Sequence, residues 1–221
     1  SVCQSGSNVH LAWNIGNPNY EVRYIKSTDY GVTWGNQQTL VSNFTPWIPS
    51  ISVSGNNVHL AYMLQTVASQ FNNFYKRSTD NGMTWSSGTA VTSSNGALIP
   101  YIESYGSVIH YVWRDHRAID SGIYYRVSTD NGSTWANELK LTGTSVQSEN
   151  PCITASNSGL HVVWDDQKDG NKEIYYRRNL TGNGPYSVSG IVTYKDNNQP
   201  VTGGYVKAIK YESSTSMIIT V

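Results

Sequence analysis

Two charged loops concentrate side chains that could bind a polar ligand, and each loop follows a tryptophan. The first is the segment Trp113-Arg-Asp-His-Arg117, and the second begins at Trp164-Asp-Asp. Arginine and aspartate groups that converge on one point bind carboxylates or sugar hydroxyls through charge-assisted, bidentate hydrogen bonds. The alternative is that both loops are solvated turns with local ion pairs. The candidate ligand-binding residues, including an aromatic stacking surface, are Trp47, Arg114, Asp115, Arg117, Asp120, Asp165 and Asp166.

Histidine recurs at a regular interval and raises the question of a metal site. The four copies are His10, His59, His110 and His161. Imidazole nitrogens must approach one ion within about 2 Å, which side chains on separate structural repeats cannot do. We therefore predict a packing role with one hydrogen bond each, and neither a metal nor another cofactor.

The two cysteines, Cys3 and Cys152, form no CxxC motif and lie near no histidine at zinc-finger spacing. They occupy similar regions of the first and fourth repeats, offset by two residues. A disulfide requires Cα atoms within about 7 Å, and hence adjacent repeats. We predict that the two thiols are not bonded to each other.

The elements that must position these residues repeat about every 50 residues along the chain. The octapeptide S-T-D-x-G-x-T-W begins at Ser27, Ser78 and Ser128, and the histidine-centred pentapeptides and three Xaa-Pro pairs recur at the same interval. Each repeat contains four short runs with high β-propensity separated by turn residues. Four antiparallel strands per repeat are typical of a β-propeller blade.

The octapeptide has a structural interpretation of its own. Its aspartate can accept hydrogen bonds from amides of the same turn, its glycine supplies positive φ, and its tryptophan covers the hairpin. We expect these residues to be structural rather than catalytic. They are Ser27, Asp29, Gly31, Trp34, Ser78, Asp80, Gly82, Trp85, Ser128, Asp130, Gly132 and Trp135.

The three octapeptides resemble the Asp-box, or BNR, repeat of sialidases and related secreted bacterial propellers. The resemblance covers about residues 1–182 and implies an all-β propeller of four four-stranded blades, either alone or as part of a larger ring. The predicted blades are about 1–46, 47–97, 98–148 and 149–182. The fourth departs from the pattern, because Asn179-Leu-Thr-Gly182 stands where a box should begin.

The residue pattern of the sequence changes after Pro185. Two runs with period-two alternation, Tyr186 to Tyr194 and Val206 to Tyr211, are typical of a β-hairpin. Residues 183–221 resemble the start of a carboxypeptidase-regulatory-like β-sandwich. They supply too few strands to complete one, so either the domain is truncated or its strands pair with a partner.

The blade order predicts where a ligand would bind. The Asp-box turns and the turns between first and second strands share one face, and the resemblance places the substrate site of sialidases on the opposite face. For sialidase catalysis, the resemblance implies three arginines that hold the substrate carboxylate. It also implies a tyrosine nucleophile activated by a glutamate, and an aspartate that acts as acid/base. The family's arginine before Ile-Pro is absent here, because Trp47 and Leu98 precede the two Ile-Pro pairs.

Composition excludes other classes of function. The 15 basic residues balance the 15 acidic ones, which disfavours nucleic-acid binding, and no apolar run is long enough to span a membrane. The resemblance implies a secreted or cell-surface protein. We predict a non-catalytic module that binds a glycan or an extracellular protein. The alternatives are part of a sialidase-like glycoside hydrolase and a structural subunit of an extracellular surface assembly, with self-association through open β edges.

Overall fold

The computed structural model describes residues 1–16, 20–42, 45–67, 69–117, 122–143, 147–156, 159–167 and 170–179, with three short strands farther along the chain. The regular elements of these residues are all β-strands. None of the described residues forms a helix that is long and apolar enough to cross a membrane.

Four sheets contain four antiparallel strands each, joined in chain order, and we refer to them as blades 1 to 4. Blade 1 contains β1 (Val2–Ser5), β2 (Asn8–Ile15), β3 (Glu21–Ser27) and β4 (Gln38–Val41). Blade 2 contains β5 (Thr45–Ser54), β6 (Asn57–Val67), β7 (Gln70–Ser78) and β8 (Thr89–Ala90). Blade 3 contains β9 (Ala97–Tyr105), β10 (Val108–Asp115), β11 (Gly122–Ser128) and β12 (Leu139–Lys140). Blade 4 contains β13 (Ser148–Ser156), β14 (Gly159–Asp166), β15 (Glu173–Asn179) and β16 (Pro185–Val188).

The blades pack face to face through apolar side chains that alternate along their strands. Three core clusters join blade 1 to blade 2, blade 2 to blade 3, and blade 3 to blade 4. Tyr24 and Leu60 meet in the first cluster, Tyr75 and Tyr111 in the second. The described residues therefore form four blades of an all-β propeller, which confirms the fold class predicted from the repeats.

The innermost strands are coupled through serine hydroxyls. Ser50 Oγ accepts a hydrogen bond from the Ile102 amide at 3.2 Å, and Ser52 Oγ accepts one from the Ser104 amide at 2.9 Å. Because both pairs join β5 to β9, they fix the register of these neighbouring strands around the propeller axis.

Each of the last three innermost strands also contains a bulge at the Xaa-Pro pair. Ile48, Ile99 and Asn150 have φ of 50°, 47° and 49°, and the pairing with the second strand shifts register across the bulge. Positive φ is unusual for a β-branched residue, so two of these positions are strained.

The segment after residue 182 is described only as separate strands. β16 pairs with β15 as the outermost strand of blade 4, and β17 (Lys207–Ile209) pairs with β18 (Ile218–Thr220). Residues 189–206, which contain most of the predicted hairpin, lie outside the described residues. The predicted boundary near residue 182 and the β-sandwich therefore stay predictions.

Asn73 places an amide in the interface between blades 2 and 3. It is 0% exposed, and neither side-chain atom has a hydrogen-bond partner among the described residues. The equivalent residues of the other blades are Val22, Ile123 and Ile174. We expect Asn73→Val to raise the free energy of unfolding by about 1–3 kcal/mol, because an unpaired buried amide is removed at similar volume.

Urea denaturation of Asn73→Val and of a matched variant, Asn72→Val, tests this expectation. The neighbouring Asn72 amide donates to Asn95 Oδ1 at 2.8 Å and accepts from the Asn95 amide at 3.0 Å. Its loss should therefore destabilise the chain. Equal losses of stability in the two variants would show that the Asn73 amide is satisfied.

Candidate functional site

The two faces of the propeller differ in what they present. The Tyr30, Asn81 and Asn131 amides each donate to a carbonyl in the first hairpin turn of their own blade, at 2.9–3.0 Å. The octapeptide turns and the first hairpin turns thus lie on one face, which we name the box face. The opposite face, which we name the loop face, carries the β2–β3, β6–β7, β10–β11 and β14–β15 loops and the connections between blades.

The carboxylates of the box-face aspartates accept hydrogen bonds from groups of their own turns. Asp29 accepts hydrogen bonds from Ser27 Oγ at 2.7 Å and from the Thr33 amide at 2.8 Å, and the Thr33 hydroxyl donates to its second oxygen. These bonds lower the pKa of Asp29 to about 2. Asp80 and Asp130 make the same contacts in blades 2 and 3. The three carboxylates therefore stabilise the turns.

On the loop face, a mixed cluster of charges joins blades 3 and 4. Arg114 contacts Glu149 at 2.9 Å, and Lys172 Nζ lies 3.0 Å from Glu149 and 3.3 Å from Asp165. The hydrogen bond from Lys172 and the charge of Arg114 hold the pKa of Glu149 below its usual value. The side chains of Lys172 and Glu149 are 46% and 25% exposed. The cluster therefore presents both charges at the surface of the loop face.

The other predicted residues of the first loop have internal roles. Asp115 is 0% exposed and accepts hydrogen bonds from Trp113 Nε1 at 3.0 Å, Ser94 Oγ at 2.8 Å and Arg117 at 2.6 Å. Burial opposes its ionisation, but these bonds outweigh it and hold the pKa of Asp115 below its usual value. Arg117 also pairs with Glu138 and lies 4.3 Å over the Tyr124 ring. Asp115 and Arg117 are therefore paired with each other, and Arg117 is also paired with Glu138.

The second loop repeats this arrangement. Asp166 is 2% exposed and accepts from Ser148 Oγ at 2.7 Å and from Trp164 Nε1 at 3.4 Å. Its neighbour Asp165 points into the charged cluster instead. Asp120 lies outside the described residues.

An aromatic platform lies on the loop face at blades 1 and 2. Trp47 is 39% exposed, and its ring stacks on Tyr20 with centroids 6.4 Å apart and planes 12° apart. Trp47 and Glu149 stand at equivalent positions, each directly before a residue with positive φ and a proline. β9 packs against both β5 and β13. The platform and the charged cluster therefore lie on the same face, at the loop-face ends of neighbouring innermost strands.

Sequence reasoning missed Tyr20, Glu149 and Lys172. Glu149 carried a signal, since it precedes Asn150-Pro151 at the offset where Trp47 precedes Ile48-Pro49. Tyr20 and Lys172 stand in loops outside the repeated motifs, so the sequence offered no comparable signal for them.

The repeated histidines pair with tyrosines of the third strand. Nδ1 of His10, His59 and His110 lies 2.7 Å from the hydroxyl of Tyr24, Tyr75 and Tyr125, and His161 lies 2.5 Å from Tyr176. Burial lowers the pKa of the first three histidines to about 4. No group of three or more metal-ligating side chains occurs within the described ranges. Cys3 and Cys152 are both free thiols.

Comparisons with known proteins agree with the repeat pattern. The sequence profile of the BNR repeat-like domain matches residues 4–181. No curated protein matches the chain.

Similar folds occur among solved structures at low sequence identity. A Trypanosoma rangeli sialidase with the inhibitor DANA has a TM-score of 0.62 and 13% identity, over 96% of this chain and 42% of the sialidase. A family 117 glycoside hydrolase of Zobellia galactanivorans has a TM-score of 0.57 and 12% identity, over 85% of this chain and 67% of the hydrolase. An α-L-arabinofuranosidase of Fusarium graminearum has a TM-score of 0.59 and 14% identity, over 96% and 71%. The chain thus spans less than half of the sialidase and about two thirds of the other two.

Proposed function

This chain belongs to the BNR repeat-like domain family, and from that premise we propose that it is a secreted, non-catalytic module that binds a glycan on its loop face. The charged cluster of Arg114, Glu149, Asp165 and Lys172 carries this proposal. It presents donors and acceptors of both signs beside each other, as the hydroxyl groups of a sugar require. A single-sign cluster would instead favour an ionic ligand.

The aromatic platform supports the same class of ligand. The apolar face of a sugar ring stacks on an exposed indole, and Tyr20 holds the Trp47 ring in one orientation. Preorganised rings and charges lower the entropy lost on binding. The similar folds of glycoside hydrolases and a sialidase support a glycan over an extracellular protein as the partner.

A glycoside hydrolase is the second candidate function, since Glu149 and Asp165 both lie within reach of one ammonium. Two nearby carboxyl groups are the usual catalytic pair of such enzymes, and one of them must have a raised pKa to act as the acid. The lowered pKa of Glu149 suits the ionised member of such a pair and not the acid. The engagement of Arg117 by Asp115 and Glu138 removes one arginine from a sialidase-like carboxylate clamp. This engagement favours binding over sialidase-like catalysis.

Binding of a panel of sialylated, arabinose-containing and xylose-containing oligosaccharides tests the proposal. We expect Arg114→Ala and Trp47→Ala each to weaken binding at least about tenfold, which corresponds to about 1.4 kcal/mol. Calorimetric titration with those oligosaccharides of the panel that bind measures this change in affinity. The wild-type chain should release no fluorophore from 4-methylumbelliferyl glycosides.

Tyr30→Asn is the matched control, because Tyr30 is 71% exposed on the box face and asparagine stands at the equivalent positions 81 and 131. This variant should bind as the wild type does. Folded wild-type chain that binds nothing in the panel, or that loses affinity equally in all three variants, would contradict a glycan site on the loop face. Turnover of a glycoside would favour the hydrolase.

A further inference from the structure

One face of blade 1 lacks the cover that the equivalent faces of the other blades have. Val2 is 62% exposed, whereas the equivalent Ile51 and Ile102 are each 4% exposed. Trp34 of the first Asp-box is 42% exposed, whereas Trp85 packs against the core shared by blades 1 and 2. An apolar face of this kind is built to pack against another sheet.

The internal interfaces show which groups cover such a face. Lys26 Nζ of blade 1 donates to the Asn81 carbonyl in the Asp-box of blade 2 at 2.9 Å, and Arg77 of blade 2 donates to the Asn131 carbonyl in the box of blade 3 at 2.7 Å. Beside each cation, a tyrosine meets the tryptophan of the same box edge to face. The ring pairs are Tyr24 with Trp85, at 5.1 Å, and Tyr75 with Trp135, at 5.3 Å.

Among the three internal interfaces, the cation is present where the next blade has an Asp-box and absent where it has none. Val127 holds the equivalent position in blade 3, and blade 4 has Asn179-Leu-Thr-Gly182 in place of a box. A cation at this position therefore indicates that an Asp-box packs against it.

Blade 4 carries both the cation and the tyrosine that contact an Asp-box in the internal interfaces. Arg178 stands where Lys26 and Arg77 stand, because each pairs with the repeated histidine of its blade. Tyr176 is held by His161 as Tyr24 is held by His10. Blade 4 is thus prepared for an Asp-box, and the uncovered box of this chain is that of blade 1.

We propose that the chain associates head to tail, with blade 4 of one copy packed on blade 1 of a second copy. Arg178 would then donate to the box of residues 27–34, and Tyr176 would pack over Gly31 and Trp34. The contact is made by blade faces and differs from pairing of open strand edges. Because different surfaces meet, copies form either a closed ring or an open chain.

This interface lacks one contact that the internal interfaces have. Lys76 and Arg177 each donate to a carbonyl of the preceding blade, Leu40 and Leu141, at 2.8 and 3.1 Å. Ile25 holds the equivalent position in blade 1. We therefore expect the interface between copies to be weaker than the internal interfaces, so that association depends on concentration.

Sedimentation velocity of the 221-residue chain over a range of concentrations tests the proposal. We expect species heavier than the 24.5 kDa monomer, and at least about tenfold weaker association for Arg178→Ala. Gly31→Ala should have a similar effect. Its Cβ has room in the single chain, where the nearest heavy atom is 3.7 Å away, but it would meet Tyr176 of the second copy.

Gly55→Ala is the control for backbone strain, since Gly55 also has positive φ, of 60°, and open space around it. It should associate as the wild type does. A strict monomer at every soluble concentration would overturn the proposal and assign the cover of blade 1 to another polypeptide or blade. Association that survives both Arg178→Ala and Gly31→Ala would overturn it as well.

Discussion

Gly82→Ala is expected to destabilise the chain by about 4 kcal/mol or more. Gly82 has φ of 80°, and an added Cβ would lie closer than 3.0 Å to the Tyr24 hydroxyl. Tyr24 cannot move away, because it is 0% exposed and its hydroxyl is bonded to His10 at 2.7 Å. The substitution therefore breaks the interface between blades 1 and 2.

Gly31→Ala separates this collision from backbone strain. Gly31 has φ of 88°, but the nearest heavy atom among the described residues, in the Trp34 ring, lies 3.7 Å from an added Cβ. The dilute, monomeric variant should lose only about 1 kcal/mol. Urea denaturation measures both free energies of unfolding. Equal losses for the two glycines would mean that the tyrosine contact does not hold the blades together.

Acidification is expected to remove much of the stability between pH 6.5 and 4. Burial lowers the pKa of His10, His59 and His110 to about 4 from an ordinary value of 6.5. Within this window the unfolded chain binds more protons than the folded one, so the stability present above pH 6.5 falls as the pH falls. We expect a loss of about 3–6 kcal/mol in total, less than full conversion of the shifts because the folded chain relaxes around a protonated ring.

Glu103 acts in the opposite direction. Burial raises its pKa to about 7 from 4.5, so it contributes stability in acid that is lost as the pH rises from 4.5 to 7. Glu103→Gln should therefore enlarge the difference in stability between pH 7 and pH 4.5. Chemical denaturation of both proteins at these two pH values measures the effect. Stability that does not fall on acidification in either protein would show that the histidines are hydrated and titrate normally.

The repeats allowed the blades to be predicted, because strand period and turn chemistry are local properties. The octapeptides at Ser27, Ser78 and Ser128 fixed the third strand and its turn in three blades. The first strand was harder to predict, since β5 continues from Thr45 through a bulge at Ile48. The Ile48-Pro49 pair interrupts the apolar alternation without ending the strand.

The candidate site was only partly predictable. Arg114 and Asp165 lie in the charged cluster, but Asp115 and Arg117 carry the same charges and are used internally. The sequence gives the residue type, but it does not show that the Trp113 indole and the Ser94 hydroxyl donate to the Asp115 carboxylate. The partners Glu149 and Lys172 come from another blade, so only the packing of blades 3 and 4 brings them to Arg114.

Ligand binding on the loop face is tested most directly by the indole signals of the two exposed tryptophans. Trp47 on the loop face and Trp34 on the box face are 39% and 42% exposed, so both indoles report on a bound ligand. In proton–nitrogen NMR spectra recorded while a binding oligosaccharide is added, the Trp47 indole signal should shift and the Trp34 signal should stay in place. A shift of Trp34 with Trp47 unchanged would contradict a glycan site on the loop face.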